Sequence, residues 1–234
     1  MEPKIIYEDK NFLAIDKPAG WLTFSIKNHS EPSISEWLVK VRPDAQLVHR
    51  LDRDTSGVIL ASKNQAYLEY LKNLFKNRQI KKTYLALIYG KIEPKSGIIE
   101  IPIGIKSGTI RRTIHLKKAK IIKEALTYYR VLKILKYSIS LTIVNEALYF
   151  SLVEIMPQTG RTHQIRVHLA AKGHPIVGDK LYGGKKQNLF NLHRHFLHAK
   201  SLEFSLKEGG RIRVESGLPD ELKEVLGKLK SDTA

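Results

Sequence analysis

Apolar positions recur along this chain first with a period of two, then at helical spacing, then with a period of two again. Ile5–Tyr7 and Phe12–Ile15 predict two short strands around Glu8-Asp9-Lys10-Asn11, and Lys17-Pro18-Ala19-Gly20 then turns the chain. Ser33 with Glu36 three residues on is a capping-box pattern. Ile34, Trp37, Leu38 and Val41 follow at i, i+3, i+4 and i+7 until Arg42-Pro43 stops the helix. Leu47–Leu51 and Val58–Ser62 predict strands on either side of a polar loop, Asp52–Gly57. Asn64 caps a second helix that carries Tyr67, Leu71, Leu74 and Phe75. Strands are then predicted at Thr83–Tyr89, Ile98–Ile103, Leu126–Leu135, Ser138–Val144 and Leu148–Ile155. Thr162–Lys172 predicts a helix with a basic exposed side and Gly173 and Pro175 past its end. Pro219 stands at the first position of a last helix carrying Leu222, Val225, Leu226 and Leu229. Strands come in consecutive runs without regular alternation with helices. The expected class is therefore α+β, a mixed, mostly antiparallel β-sheet with flanking helices, in one domain over residues 1–234.

Composition narrows the function. The 234 residues include 40 Lys+Arg against 23 Asp+Glu, a net charge of +17, which points to a polyanionic partner. Between Ile105 and Lys123 the chain carries Lys106, Arg111, Arg112, Lys117, Lys118, Lys120 and Lys123 with no acid, the pattern of a basic hairpin or arm. Lys72, Lys76, Arg78, Lys81 and Lys82 form a second such cluster where a helix end runs into a strand. Nucleic acid fits two clusters better than a merely solvated face does. The absence of cysteine removes thiol nucleophiles, disulfides and Cys-based zinc sites. No window approaches ~18 uninterrupted apolar residues and no basic-then-apolar leader opens the chain, so the expectation is a cytoplasmic protein without a membrane span.

Two polar constellations can carry chemistry. In His49-Arg50-Leu51-Asp52-Arg53-Asp54-Thr55-Ser56-Gly57, a carboxylate stands at a strand end between arginines, which favour its charged form and suit Asp52 to act as nucleophile or charge stabiliser. The competing reading is a structural Asx-turn. An aspartic-protease reading fails, because that chemistry needs two Asp-Thr/Ser-Gly loops and no second copy exists. The second constellation runs from Gln158 to His168, a glycine turn into a helix start, with Thr162, His163 and Arg166 on one helical face. It reads as an anion site with or without catalysis. His193-x-His195-x-x-His198 lacks a cysteine or nearby carboxylate to complete a metal set, so no metal is expected. Tyr84 alone is an ordinary strand aromatic. A hydrolase using His163 and Asp52 lacks a nucleophile–base pair.

Taken together, the residues resemble the RluA-like family of pseudouridine synthases across nearly the whole chain. The resemblance is carried by Tyr7-Glu8-Asp9 and Ala14–Gly20, His49–Asp52 with Thr55-Ser56-Gly57, Lys81–Tyr84, Thr159–His168, and Gly173–Asp179. It implies a cofactor-free and metal-free isomerisation of a uridine in ribosomal or transfer RNA, with base flipping. On that resemblance Asp52 is the catalytic aspartate, Arg166 the arginine that pairs with it, and Tyr84 the tyrosine that stacks on the base and helps move protons. Arg50 enters the RNA where the flipped base has left. His49, Arg161, Thr162 and His163, with Lys117, Lys118 and Lys120, are further expected RNA contacts. The expectation is a monomer without the separate N-terminal RNA-binding domain of some members. The alternative is a non-catalytic basic RNA-binding or ribosome-associated module, which leaves a carboxylate among phosphate-facing arginines unexplained.

Overall fold

The computed structural model describes residues 1–27, 30–106, 109, 111–115, 117, 119–140, 145–184 and 190–232. The first elements are β1 (Lys4–Glu8), β2 (Phe12–Lys17), α1 (Ile34–Val41), β3 (Gln46–Leu47), β4 (Ser56–Ser62), α2 (Gln65–Lys76) and β5 (Lys81–Tyr89). Then follow β6 (Ser96–Glu100), β7 (Ile103–Lys106), β8 (Arg112–Thr113), β9 (Ala119–Lys123), β10 (Leu126–Ser140) and β11 (Asn145–Pro157). The chain closes with α3 (Gln164–Ala171), β12 (Leu197–Ser205), β13 (Arg211–Glu215), α4 (Asp220–Gly227) and β14 (Lys230–Ser231). The class is α+β with mostly antiparallel pairing. Two compact units form, one from Met1–Thr83 with His198–Leu218, the other from Tyr84–Leu197 with Pro219–Ala234.

In the first unit the strand order is β1-β2-β4-β12, with β13 on β12 and β3 on β4. β2 and β4 read as unbroken apolar runs because they are covered on both faces. Phe12, Ala14, Val58 and Leu60 face Tyr67, Leu71 and Leu74 of α2. Leu13, Ile15, Ile59 and Ala61 face Ile34 and Leu38 of α1. Each large apolar side chain among them contributes about 1.5–3 kcal/mol by leaving water. Both helices start as their caps predict: Ser33 Oγ accepts from Glu36 N at 3.2 Å, and Asn64 Oδ1 accepts from Tyr67 N at 2.9 Å. β4 pairs in parallel with β12, and a Cβ on Gly57 would stand 2.1 Å from the Ala199 carbonyl oxygen, which is why the polar loop ends in glycine.

In the second unit the order is β5-β11-β10-β14, with β6 on β10, and β8-β7-β9 form a separate three-stranded sheet. That small sheet is the basic arm. The structure departs from the sequence pattern at several points. The predicted strand Ile98–Ile103 is two strands, β6 and β7. Residues 138–140 extend β10, whose ladder with β11 absorbs a register shift between Val131 and Lys133 instead of breaking, while 141–144 lie outside the described residues. Pro219 is the N-cap of α4 and Leu229 lies beyond its end. The predicted strand Leu47–Leu51 ends at Leu47.

Candidate active site

Asp52 lies, half-buried, in the segment between β3 and β4. Its backbone neighbours are tied down on both sides. Thr23 Oγ1 donates to the Leu51 carbonyl at 2.8 Å and accepts from Leu51 N at 3.1 Å. The Arg53 carbonyl accepts from Lys17 Nζ at 2.8 Å and from Gly20 N at 3.0 Å. Lys17 is fully buried and also donates to the Pro18 carbonyl at 2.9 Å. Thr55 N closes the turn on the Asp52 carbonyl at 3.1 Å. Five hydrogen bonds therefore fix the backbone from which the carboxylate projects. Arg50 is exposed. Arg53 is turned to Asp54 at 3.0 Å and Glu31 at 3.3 Å.

His49 explains why the predicted strand stops. Val48 N still bonds the Leu60 carbonyl, but Leu60 N donates to the imidazole Nε2 of His49 at 3.0 Å, so a side chain takes the place of the next ladder acceptor. The ring also packs on Phe75 with centroids 4.4 Å apart. Burial, and then the charge of Lys82, push the His49 imidazole down to about 3, which keeps Nε2 an acceptor. Nε2 of His49, a residue expected to contact RNA, is thus used within the fold. His198 is likewise internal, with Nδ1 on Ser56 Oγ at 2.9 Å and Nε2 on the Ser216 carbonyl at 3.1 Å.

In the second unit, Tyr84 is half-buried on β5 opposite Ile155. Helix α3 begins at Gln164, two residues later than predicted, so Thr162 and His163 precede it and share no helical face with Arg166. His163 is the N-cap in a left-handed conformation, φ 58°, without a side-chain cap bond. Gln164 Oε1 instead accepts from Arg161 N at 3.0 Å and Thr159 Oγ1 at 2.7 Å. The basic exposed side expected of this helix is absent: residues 164–169 are all buried. His168 donates and accepts between Thr127 Oγ1 and the Ile101 carbonyl, both at 2.9 Å, and burial pushes its pKa down.

Arg166 is the one strong cation of that helix, and Asp179 holds it. Its Nε donates to Oδ2 at 2.7 Å and Nη2 to Oδ1 at 3.0 Å, a bidentate fork that fixes the plane of the guanidinium. Oδ1 also accepts from Leu181 N and Tyr182 N at 2.9 and 3.0 Å. Burial pushes the Asp179 carboxyl up, but the hydrogen bonds and charge of Arg166 outweigh it and leave the pKa below the ordinary value. The guanidinium lies 5.2 Å from the Tyr182 ring centroid, and the Tyr182 hydroxyl bonds His163 Nδ1 at 2.9 Å and accepts from Arg112 N at 3.0 Å. Sequence reasoning assigned Asp179 and Tyr182 no role; the only signal was Gly178-Asp179 at the end of the last resemblance segment.

Arg161 and Thr162 line an open depression of about 200 Å³ with Arg112 and Lys123 of the arm and Ile103, Gly104, Ile105 and Ile121. Lys117 and Lys120 are exposed, and Lys118 lies outside the described residues. No helix among the described residues is long and apolar enough to cross a membrane.

Known proteins supply an independent comparison. A family model described as RNA pseudouridylate synthase matches residues 11–171. The ribosomal large subunit pseudouridine synthase D of Nitrosomonas europaea is 36% identical over 97% of this chain and 65% of its own length. The synthase C of Rickettsia bellii is 38% identical over 92% of this chain and 68% of its own. The chain thus spans about two thirds of the length of these relatives. Among solved structures, human RNA pseudouridylate synthase domain containing 1 superposes with a TM-score of 0.81 at 28% identity, covering 99% of this chain and 89% of that one. The family match runs from β2 through the Asp52 turn to the end of α3, and the chain belongs to the RNA pseudouridylate synthase family.

Proposed function

We propose that the protein converts a uridine of ribosomal large-subunit RNA to pseudouridine, with Asp52 as the catalytic carboxylate. One observation carries the reading: the turn that presents Asp52 is over-determined by Lys17, Gly20 and Thr23, beside an exposed Arg50. A surface that only gripped phosphates would lose affinity by holding a carboxylate there. The names of the relatives support the substrate.

In the reaction the ribose C1′ to uracil N1 bond breaks, the uracil turns, and C1′ joins C5. The C5 proton leaves to water and N1 regains a proton. The detached base carries developing negative charge, which cations in a water-poor site stabilise. Asp52 meets the ribose or the uracil, Arg166 orients and balances that carboxylate, and Tyr84 stacks on the base and helps proton transfer, as the family resemblance implies. Extrusion of the uridine costs a few kcal/mol of stacking, which Arg50 offsets by entering the gap. Arg161, Thr162, Lys117 and Lys120 hold phosphates, while His49 and His163 position backbone and Tyr182. The two units act as one catalytic domain, as a monomer, in the cytoplasm.

The test is release of tritium to water from ribosomal RNA labelled at uracil C5. The wild-type chain releases it, and Asp52→Asn retains fold and RNA binding but releases none. Binding without release by the wild type would favour the non-catalytic RNA-binding module, and residual release by Asp52→Asn would remove the assignment of that carboxylate.

A further inference from the structure

The C-terminal end of α2 bears a feature that the fold does not require. Gln79 N reaches the Leu74 carbonyl at 2.9 Å and Arg78 N the Phe75 carbonyl at 3.2 Å, the paired bonds of a Schellman motif. Its left-handed position is normally glycine, because a Cβ is crowded there. Here it is Arg78, at φ 61°. The side chain is exposed, as are Lys72 and Lys76, and among the described residues none of the three forms an ion pair. Lys72 and Lys76 stand four residues apart on one face, an arrangement in which like charges repel. Complementing the helix dipole needs only Lys76, already in the last turn. A left-handed arginine beside repelling lysines is thus locally less favourable than the glycine that the Schellman bonds would equally accept.

The position of this cluster suggests why arginine stands there. Phe75, in the last turn of α2, packs on His49 at 4.4 Å, and Lys82 is near enough for its charge to act on the same imidazole. His49 begins the segment that leads through Arg50 to Asp52. The α2 end and Lys82 thus adjoin the residue from which the Arg50–Asp52 segment starts.

We propose that Lys72, Lys76 and Arg78, continued by Lys82 toward the His49–Asp52 segment, form a docking surface for the sugar–phosphate backbone of RNA flanking the target uridine. The proposal deepens the isomerase reading and rests on it for the identity of the RNA. Arg78 is the leading contact, since it is exposed at the left-handed position that glycine normally fills.

Arg78→Gly separates docking from support of the fold, because the two move in opposite directions. Relief of the left-handed strain raises Tm by about 1–3 °C. Binding to ribosomal RNA weakens by roughly fivefold at about 0.1 M salt, and the slope of log affinity against log salt, over about 50 to 300 mM KCl, falls by about 0.7–0.9. In the tritium assay the loss falls on KM more than on kcat, and Arg78→Lys restores the slope. An unchanged slope and KM in Arg78→Gly, or a lowered Tm with unchanged affinity, overturns the surface. Absence of tritium release by the wild-type chain would instead overturn the isomerase reading, while the salt slope would still decide the surface on the same RNA.

Discussion

Replacing Asp179 by asparagine strikes the pair that fixes Arg166. The Asp179 side chain is fully enclosed and that of Arg166 is 9% exposed, and the carboxylate accepts four hydrogen bonds. Asparagine keeps the volume but offers one acceptor oxygen, so it can serve the Leu181 and Tyr182 amides or the guanidinium, and its NH₂ must face a donor. Removing one partner of a buried pair costs about 3–5 kcal/mol, most of it for the charge left behind. With an unfolding slope of roughly 2–3 kcal/mol per molar urea for a chain of this size, the urea midpoint should fall by roughly 1–2 M. Loss of the fork also frees the guanidinium plane, so kcat in tritium release, measured well below the unfolding midpoint, should drop by on the order of a hundredfold. The pH response gives a second check. Because the folded pKa lies below the unfolded one, the pair stabilises fully above the ordinary carboxylate range near about 3.9 and loses its contribution as pH falls through the lowered value. Asp179→Asn should lack that acid limb. A midpoint within about 0.2 M of wild type, a small fraction of the shift expected from that slope, would refute the claim that this ion pair holds the second unit together around Arg166.

Three further outcomes follow from the same geometry. His49, with a folded pKa of about 3 against about 6.5 unfolded, must stay neutral to accept from Leu60 N, so stability should fall as pH drops below about 6.5, by up to about 1.4 kcal/mol per pH unit; His168 adds in the same direction, and His49→Gln should lose roughly half of that slope in urea titrations between about pH 7 and 5. Lys17→Met deprives the Pro18 and Arg53 carbonyls of a buried donor and should lower stability by about 2–3 kcal/mol and slow tritium release; an unmoved urea midpoint would contradict the anchoring of the Asp52 turn. Neutralising Lys117 and Lys120 should reduce the salt slope of RNA binding by about 0.7–0.9 for each phosphate that these lysines hold, with no change in Tm, as a filter-binding series can establish.

The parts of the fold legible in the sequence are those decided locally. The apolar runs of β2 and β4 and the caps at Ser33 and Asn64 appear as predicted, because burial on two faces and a side-chain oxygen three residues before a free amide are short-range facts. Leu47–Leu51 has the alternation of a strand, yet His49 offers its own nitrogen to Leu60 N, a competition that propensity does not see. Helix α3 shows the same limit. Thr162, His163 and Arg166 at helical spacing read as one face of a helix with a wet, basic side, but the partners of Arg166 and His168 lie 13, 41 and 67 residues away, and it is those partners that allow residues 164–169 to be buried.

The candidate catalytic carboxylate follows the same rule. Its candidacy was legible from the run His49–Asp52, which offered a nucleophilic or charge-stabilising carboxylate or an Asx-turn until the family resemblance favoured the first. Its rigidity was not, because Thr23 and Lys17, which hold Leu51 and Arg53, stand 28 and 36 positions away and belong to the first strands and their exit turn. A lysine buried without exposure would be a liability if its only task were stability, since taking an ammonium out of water costs several kcal/mol. Directed at the Arg53 carbonyl of the Asp52 turn and at the Pro18 carbonyl of the first turn, the buried ammonium ties the two turns together, and variants of the first turn should therefore disturb the chemistry at position 52 as surely as changes within the turn itself.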